Sequence, residues 1–149
     1  MLYLIKDFTD NLIKFVKEDP VRPHIPDIER IGPNKDIFVS RVDDKVKSIT
    51  CVSYQKAIPA SETELFENCE QPTVAIFYTI WSYHPGAGRQ LILDSVEHIK
   101  TNMPSITRFV TLSPKTEMAR RFHLKNGATI FRENLESVNY EYKAWIAQG

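Results

Sequence analysis

Apolar residues recur at two intervals along this chain, and the switches between them mark out its elements. Over residues 2–18, Ile5, Phe8, Leu12, Phe15 and Val16 fall at helical spacing with Lys and Asp between them. That predicts a helix, which Pro20 stops. From Val21 to Pro33, three prolines and few apolar positions predict a surface connection holding one short helical turn at "PDIERIG". Two β-prone runs, "DIFVSRV" and "VKSITCVSY", meet at Asp43-Asp44 and predict a hairpin. Residues 57–72 are polar and flanked by proline, which predicts a loop with one helical turn after Ser61. Residues 73–82 form an unbroken apolar and aromatic run, a strand buried on both faces.

The following segment, 88–102, sets Ile92, Val96, Ile99 and Met103 on one stripe with Asp94, Glu97 and Lys100 facing away, a helix that Pro104 ends. "ITRFVTL" predicts another strand. Ser113-Pro114 can cap and open a helix over 114–126, and Asn126-Gly127 supplies its stop. "ATIFRE" and "VNYEYKAW" predict two last strands. The order is helix, hairpin, strand, helix, strand, helix, strand, strand, which makes a mixed α/β layered domain around one sheet.

Composition narrows this picture. The chain has 149 residues, enough for one domain over 1–149 with its own core. Lys plus Arg and Asp plus Glu number 19 each, so no global charge pulls it toward nucleic acid or an anionic membrane. Cys51 and Cys69 lack metal-ligand spacing and are too few for a disulfide scaffold. A cytoplasmic setting and no metal are expected. Charges every few residues in "MLYLIKDFTDNLIKFVKEDP" exclude a signal peptide or a membrane span there.

Two of the five glycines, Gly86 and Gly88, sit one residue apart between the 73–82 strand and the next helix. "HPGAGRQL" has no Lys-Ser/Thr pair for a P-loop and no third Gly for a dinucleotide fingerprint. Without side chains at 86 and 88, such a turn exposes successive N–H groups at the positive end of a helix. That is an anion site suited to a pyrophosphate, to which Arg89 adds charge. On local grounds a tight turn alone explains the pair equally well.

The wider pattern, "YHPGAGRQLI" after a long strand and then "SPKTEMARRFHLKNGATI", resembles the GNAT acyltransferase superfamily, with its Gln/Arg-x-x-Gly-x-Gly/Ala turn and its last helix ending Tyr-x-x-x-Gly-Phe. "FYTIWSYHPG", "FVTLSP", "FHLKNGA" and "NYEY" also look like the GNAT-type catalytic domain of malonyl-CoA decarboxylase. The resemblance implies a mainly antiparallel sheet flanked by helices, with two parallel strands, 73–82 and 106–112, splayed into an acyl-CoA cleft. Pantetheine would then bond the backbone at Ile80, Trp81 and Ser82. The phosphates would sit on Tyr83, His84, Gly86, Ala87, Gly88 and Arg89, and Ser113 would join the cofactor-binding set. Tyr83 stands where the family has Gln or Arg.

In the position of the family's thiolate-protonating Tyr stands His123. The decarboxylase-like domains pair such a His with a strand hydroxyl, for which Thr79 and Ser82 are the candidates. Ser113 reads as a helix cap, Tyr140 and Tyr142 as packing, Arg120, Arg121 and Lys125 as a solvated helix face, and Trp81 and Trp145 as pocket lining; no single acid stands out as a base. The resemblance implies an N-acyltransferase using acetyl-CoA or a similar acyl-CoA and an amine acceptor, either a small molecule or a protein. The alternatives are a malonyl-CoA decarboxylase-like enzyme and a silent CoA-binding module. A homodimer through the last strands is open.

Overall fold

The computed structural model describes residues 1–67 and 69–142. Eight strands form one sheet: β1 (Leu2–Ile5), β2 (Lys35–Val42), β3 (Lys45–Gln55), β4 (Val74–Ser82), β5 (Arg108–Thr111), β6 (Ser113–Pro114), β7 (Thr129–Glu133) and β8 (Ser137–Tyr142). They run in the order β1-β2-β3-β4-β5-β8-β6, with β7 on the other side of β8. Only the β4–β5 pair among these is parallel. Among the described residues three α-helices accompany the sheet, α1 (Ile13–Val16), α2 (Ala87–Asn102) and α3 (Glu117–Lys125).

Alternation along the strands divides the core into two layers. Phe38, Tyr54, Phe77 and Phe109 pack with Leu91, Ile92, Val96 and Ile99 of α2 on one face. Ile37, Val39, Ile49, Ile76 and Val110 pack on the other with Ile5, Val16, Ile25 and Leu65. The apolar run of β4 therefore contributes to both layers, as its pattern predicts. Asp43 and Asp44, with φ of 52° and 64°, make the two-residue turn whose twist suits a hairpin.

Three expectations are corrected. Residues 2–18 do not form one helix: Leu2–Ile5 pair antiparallel with Ile37–Ser40, and only Ile13–Val16 are helical. Asp7 and Asp10 intervene. Their carboxylates accept the backbone N–H of Thr9 and Leu12, each at 2.9 Å, and these side-chain turns displace helical bonds. The connection over residues 21–33 carries its short helical turn at Asp27–Glu29 but is not solvated throughout, because Arg22, Ile25 and Arg30 are buried in it. Ser113-Pro114 does not open the last helix but pairs with Val138 and Ser137. Thr116 is the cap, accepting the N–H of Ala119 at 3.1 Å. Trp145 and the end of the last expected strand lie outside the described residues.

Candidate functional site

Strands β4 and β5 pair from Val74↔Arg108 to Phe77↔Thr111, and one further bond runs from Leu112 N–H to the Phe77 carbonyl. There they part. β4 continues to Ser82 beside β3, whereas the chain after β5 stays against β8, which it follows as β6. A register shift between Cys51 and Val52 leaves Tyr78 as an extra residue on β4 at the parting point, and such a bulge bends its strand. The gap is a cavity of about 370 Å³ lined by Ile80, Trp81 and Ser82 on one wall, and by Leu112, Ser113, Phe122 and His123 on the other. None of the described lining residues is Asp, Glu, Lys or Arg.

His123 is 4% exposed, its ring stacked on Tyr140 at 4.9 Å between centroids. Its Nδ1 lies 2.5 Å from the Tyr142 hydroxyl and its Nε2 lies 3.2 Å from Ser113 Oγ. Ser113 in turn donates to Thr111 Oγ1 at 2.8 Å, an atom that also accepts the Tyr140 N–H at 3.1 Å. These polarities assign the tautomer: Tyr142 donates to Nδ1, and Nε2–H donates to Ser113. Burial lowers the His123 pKa to about 4 and raises that of Tyr142, so at neutral pH both groups are uncharged.

The hydroxyl beside His123 is thus Ser113, which the sequence offers as a cap. Thr79, although on the cavity wall, donates its hydroxyl to Asp19 at 2.9 Å. Ser82 is exposed, its Oγ at 3.1 Å from the position of a Cβ on Gly88. Tyr142 and Tyr140, read from sequence as packing, both contact the imidazole. A signal for Tyr142 is present in its alternation with Tyr140 on one strand, but what it meets depends on a helix 19 residues away.

The glycine pair divides its work. Gly86 caps α2 at φ 80°, a left-handed conformation with open space around its missing Cβ. Gly88 is buried, and a Cβ there would stand 3.1 Å from the Phe122 ring. The first leaves the N–H groups of the α2 first turn approachable, and the second lets α3 close on that turn. Around the turn, His84 and Arg89 are exposed, Arg89 reaching Asn126 Oδ1 at 3.3 Å. Lys47 of β3, which sequence reasoning passed over, puts its Nζ 3.3 Å from His84 Nε2. Tyr83 turns away, donating to Glu18 at 2.6 Å and accepting from Trp81 Nε1 at 3.1 Å.

This set fits an acyl-CoA: an apolar slot with an open β4 edge for the pantetheine arm, a glycine turn at a helix N-terminus, and cations nearby for phosphates. Among the described residues no cluster of His, Cys, Asp or Glu suited to a metal occurs, and no helix is long and apolar enough to cross a membrane.

No family model and no curated protein matches the sequence. Solved structures match in shape. The malonyl-CoA decarboxylase of Agrobacterium vitis superposes with a TM-score of 0.79 at 20% identity, over 97% of this chain and 60% of that one. The GNAT domain of S. lividans PAT gives 0.65 at 13% identity, over 96% and 89%. The PaiA N-acetyltransferase of Thermoplasma acidophilum, solved with coenzyme A, gives 0.54 at 13% identity, over 74% and 62%. The chain spans about three-fifths of the length of the decarboxylase it matches. Splayed parallel strands, a glycine turn opening α2 and these superpositions agree that the chain has the GNAT fold.

Proposed function

We propose that this chain uses acyl-CoA, and that it decarboxylates a malonyl-class thioester in the cleft between β4 and β6. The observation that carries this reading is the buried imidazole of His123, held between Tyr142 and Ser113 on a wall without carboxylates or cations among the described residues. Pantetheine would lie along Ile80–Ser82, with the phosphates over the Gly86 turn near Lys47, His84 and Arg89.

N-acyltransfer needs a base for the incoming amine, and an imidazole protonated only near pH 4 is a weak one. A malonyl thioester brings its own driving force. Its carboxylate, unpaired in an apolar cleft, is raised in energy relative to neutral carbon dioxide. The carbon–carbon bond breaks, carbon dioxide leaves, and the electron pair spreads onto the thioester oxygen. There the Nε2–H of His123 can donate once it turns from Ser113 Oγ to that oxygen, as a neutral imidazole does when it polarises a carbonyl, while Ser113 stays on Thr111 beside it. The Nε2 proton then passes to the enolate carbon as Tyr142 gives its own to Nδ1, and one proton from solvent restores the Tyr142 hydroxyl, which completes the acetyl thioester.

Incubation with malonyl-CoA is expected to yield acetyl-CoA and carbon dioxide, and His123→Ala to lower the rate by roughly 10²-fold or more. No acetyl-CoA from malonyl-CoA overturns the reaction. No calorimetric binding of CoA, acetyl-CoA or malonyl-CoA overturns the ligand class as well.

Acyl transfer is the second reading. A further cavity of about 580 Å³ shares Leu112 with the cleft and is lined by Glu136, a place for a cationic amine. Amine-dependent release of CoA from acetyl-CoA, without decarboxylation, would favour it.

A further inference from the structure

Arg22 is 8% exposed, and its guanidinium lies at the fork of the two strands. Its Nε donates to the Tyr78 carbonyl on β4 at 2.7 Å, and its Nη2 to the Leu112 carbonyl at 2.7 Å. Both carbonyls fall just past the last rung of the β4–β5 ladder, where neither strand serves the other. A planar fork with donors on two edges can span them; a single ammonium cannot. The backbone of Arg22 is clamped as well. Asp19 Oδ1 accepts its N–H at 3.0 Å and Arg30 Nη2 donates to its carbonyl at 2.8 Å, within a buried Asp19–Arg30 ion pair of 2.8 Å. The third donor, Nη1, pairs with Glu62 on the outer side.

Leu112 immediately precedes Ser113, and Ser113 is the group on His123 Nε2. We propose that Arg22 is a positioning residue: by tying Leu112 to Tyr78 across the fork, it fixes the cleft width and holds the Ser113 hydroxyl on His123. The claim that this controls turnover rests on the decarboxylation reading above. The claim that it controls the Ser113–His123 contact does not. Arg22 bonds backbone carbonyls and not His123 or Ser113, so its loss acts on the reaction through the placing of Leu112 and Ser113 against β4. A displacement near 1 Å there is worth on the order of 10²-fold in rate.

The test uses Arg22→Met, Arg22→Lys and Glu62→Gln in the full chain, with two readouts. The first is the imidazole Nε2–H resonance of His123 by NMR, assigned by its disappearance in His123→Gln. The second is kcat and KM for malonyl-CoA, with CoA binding by calorimetry. Expected for Arg22→Met is an Nε2–H proton exchanging with water at least about tenfold faster, kcat down on the order of 10²-fold, and KM and CoA affinity within about threefold. Arg22→Lys, with one reach instead of two, gives a smaller change in the same direction. Glu62→Gln, which touches the outer donor of Arg22 and the His24 ring but neither strand of the fork, leaves the resonance protected.

Overturning results are an unchanged Nε2–H resonance in Arg22→Met, or equal losses in kcat and CoA affinity, which would mean general damage. Loss of the resonance in Glu62→Gln would also overturn the proposal. If the wild type lacks decarboxylase activity, the proposed function fails while the NMR comparison still decides the role of Arg22. Should Arg22→Met not fold, Arg22→Lys and Glu62→Gln decide it.

Discussion

The ring of Phe122 on α3 occupies the space that a side chain at Gly88 on α2 would need, with 3.1 Å between its Cε1 and the position of a Cβ. The two helices meet at this point, beside the cleft wall that carries Phe122 and His123. Gly88→Ala forces the ring aside by a few tenths of an ångström. It is expected to cost about 1–3 kcal/mol in thermal or urea unfolding, as overpacking does. Gly86→Ala meets no atom and is expected to cost about 1 kcal/mol through its φ of 80° alone. The two glycines are thereby separable: a cost at 88 that Phe122→Leu relieves, and a cost at 86 that it does not.

Thr79, which the resemblance offers as the hydroxyl beside His123, is engaged elsewhere, and Ser113, read from the sequence as a cap, stands there instead. Thr79 gives its hydroxyl to the buried carboxylate of Asp19, and Ser113 sits on His123. Thr79→Val is expected to lower stability by about 1.5–3 kcal/mol, the worth of a hydrogen bond to a charged group, with a minor fall in turnover. Ser113→Ala is expected to do the reverse, with stability within about 1 kcal/mol and malonyl-CoA turnover down roughly 10²-fold. Chemical denaturation and steady-state rates on the two variants check both halves.

Elements set by local pattern were legible in the chain. β4 reads from its unbroken apolar run, α2 from its stripe of Ile92, Val96 and Ile99, and the hairpin from Asp43-Asp44. The Gly86 turn reads from the glycine pair between strand and helix, and the parallel pair followed from the resemblance. What stayed hidden depends on partners distant in sequence. Leu2–Ile5 is a strand because Ile37–Ser40 lie beside it, and no helical period within residues 2–18 reports that. Arg22 and Arg30 look solvated among prolines, yet they are buried because carbonyls 56 and 90 residues away, and Asp19, complete them. His123 stood out from "FHLKNGA", whereas its partners Ser113 and Tyr142 were masked by plausible roles as cap and packing.

Asp19 holds four groups at once. Oδ1 accepts the N–H of Val21 at 2.7 Å, the N–H of Arg22 at 3.0 Å and the Thr79 hydroxyl at 2.9 Å, and Oδ2 faces Arg30 at 2.8 Å. Asp19→Asn can keep the first three through its carbonyl oxygen but must turn its amide N–H groups toward a guanidinium. Breaking one side of a buried pair costs about 3–5 kcal/mol, because the remaining charge stays buried. A fall of that size in the denaturation midpoint free energy is expected, and restoring part of it with Arg30→Met in the double variant would identify the stranded Arg30 charge as the cause.

His123 makes stability depend on pH in a direction its burial dictates. Its pKa in the folded chain is about 4, against about 6.5 for an unperturbed imidazole. Above pH 6.5 both folded and unfolded chains carry it neutral, and the folded state keeps its full stability. Between 6.5 and 4 the unfolded chain binds the proton and the folded one does not. Stability therefore falls by about 1.4 kcal/mol for each pH unit, roughly 3 kcal/mol by pH 4. Below that the folded imidazole charges too and this contribution stops changing. Carboxylates also titrate in this range, so the measurement is the difference between wild type and His123→Gln in urea unfolding from pH 7.5 to 4. The variant is expected to lose about 3 kcal/mol less over that span, and equal slopes would show that His123 is not buried neutral. The same ionisation bears on the reaction. Since Nε2–H of the neutral ring is the donor to Ser113, malonyl-CoA turnover is expected to hold down to about pH 5 and show no break near 6.5, where an exposed histidine would titrate.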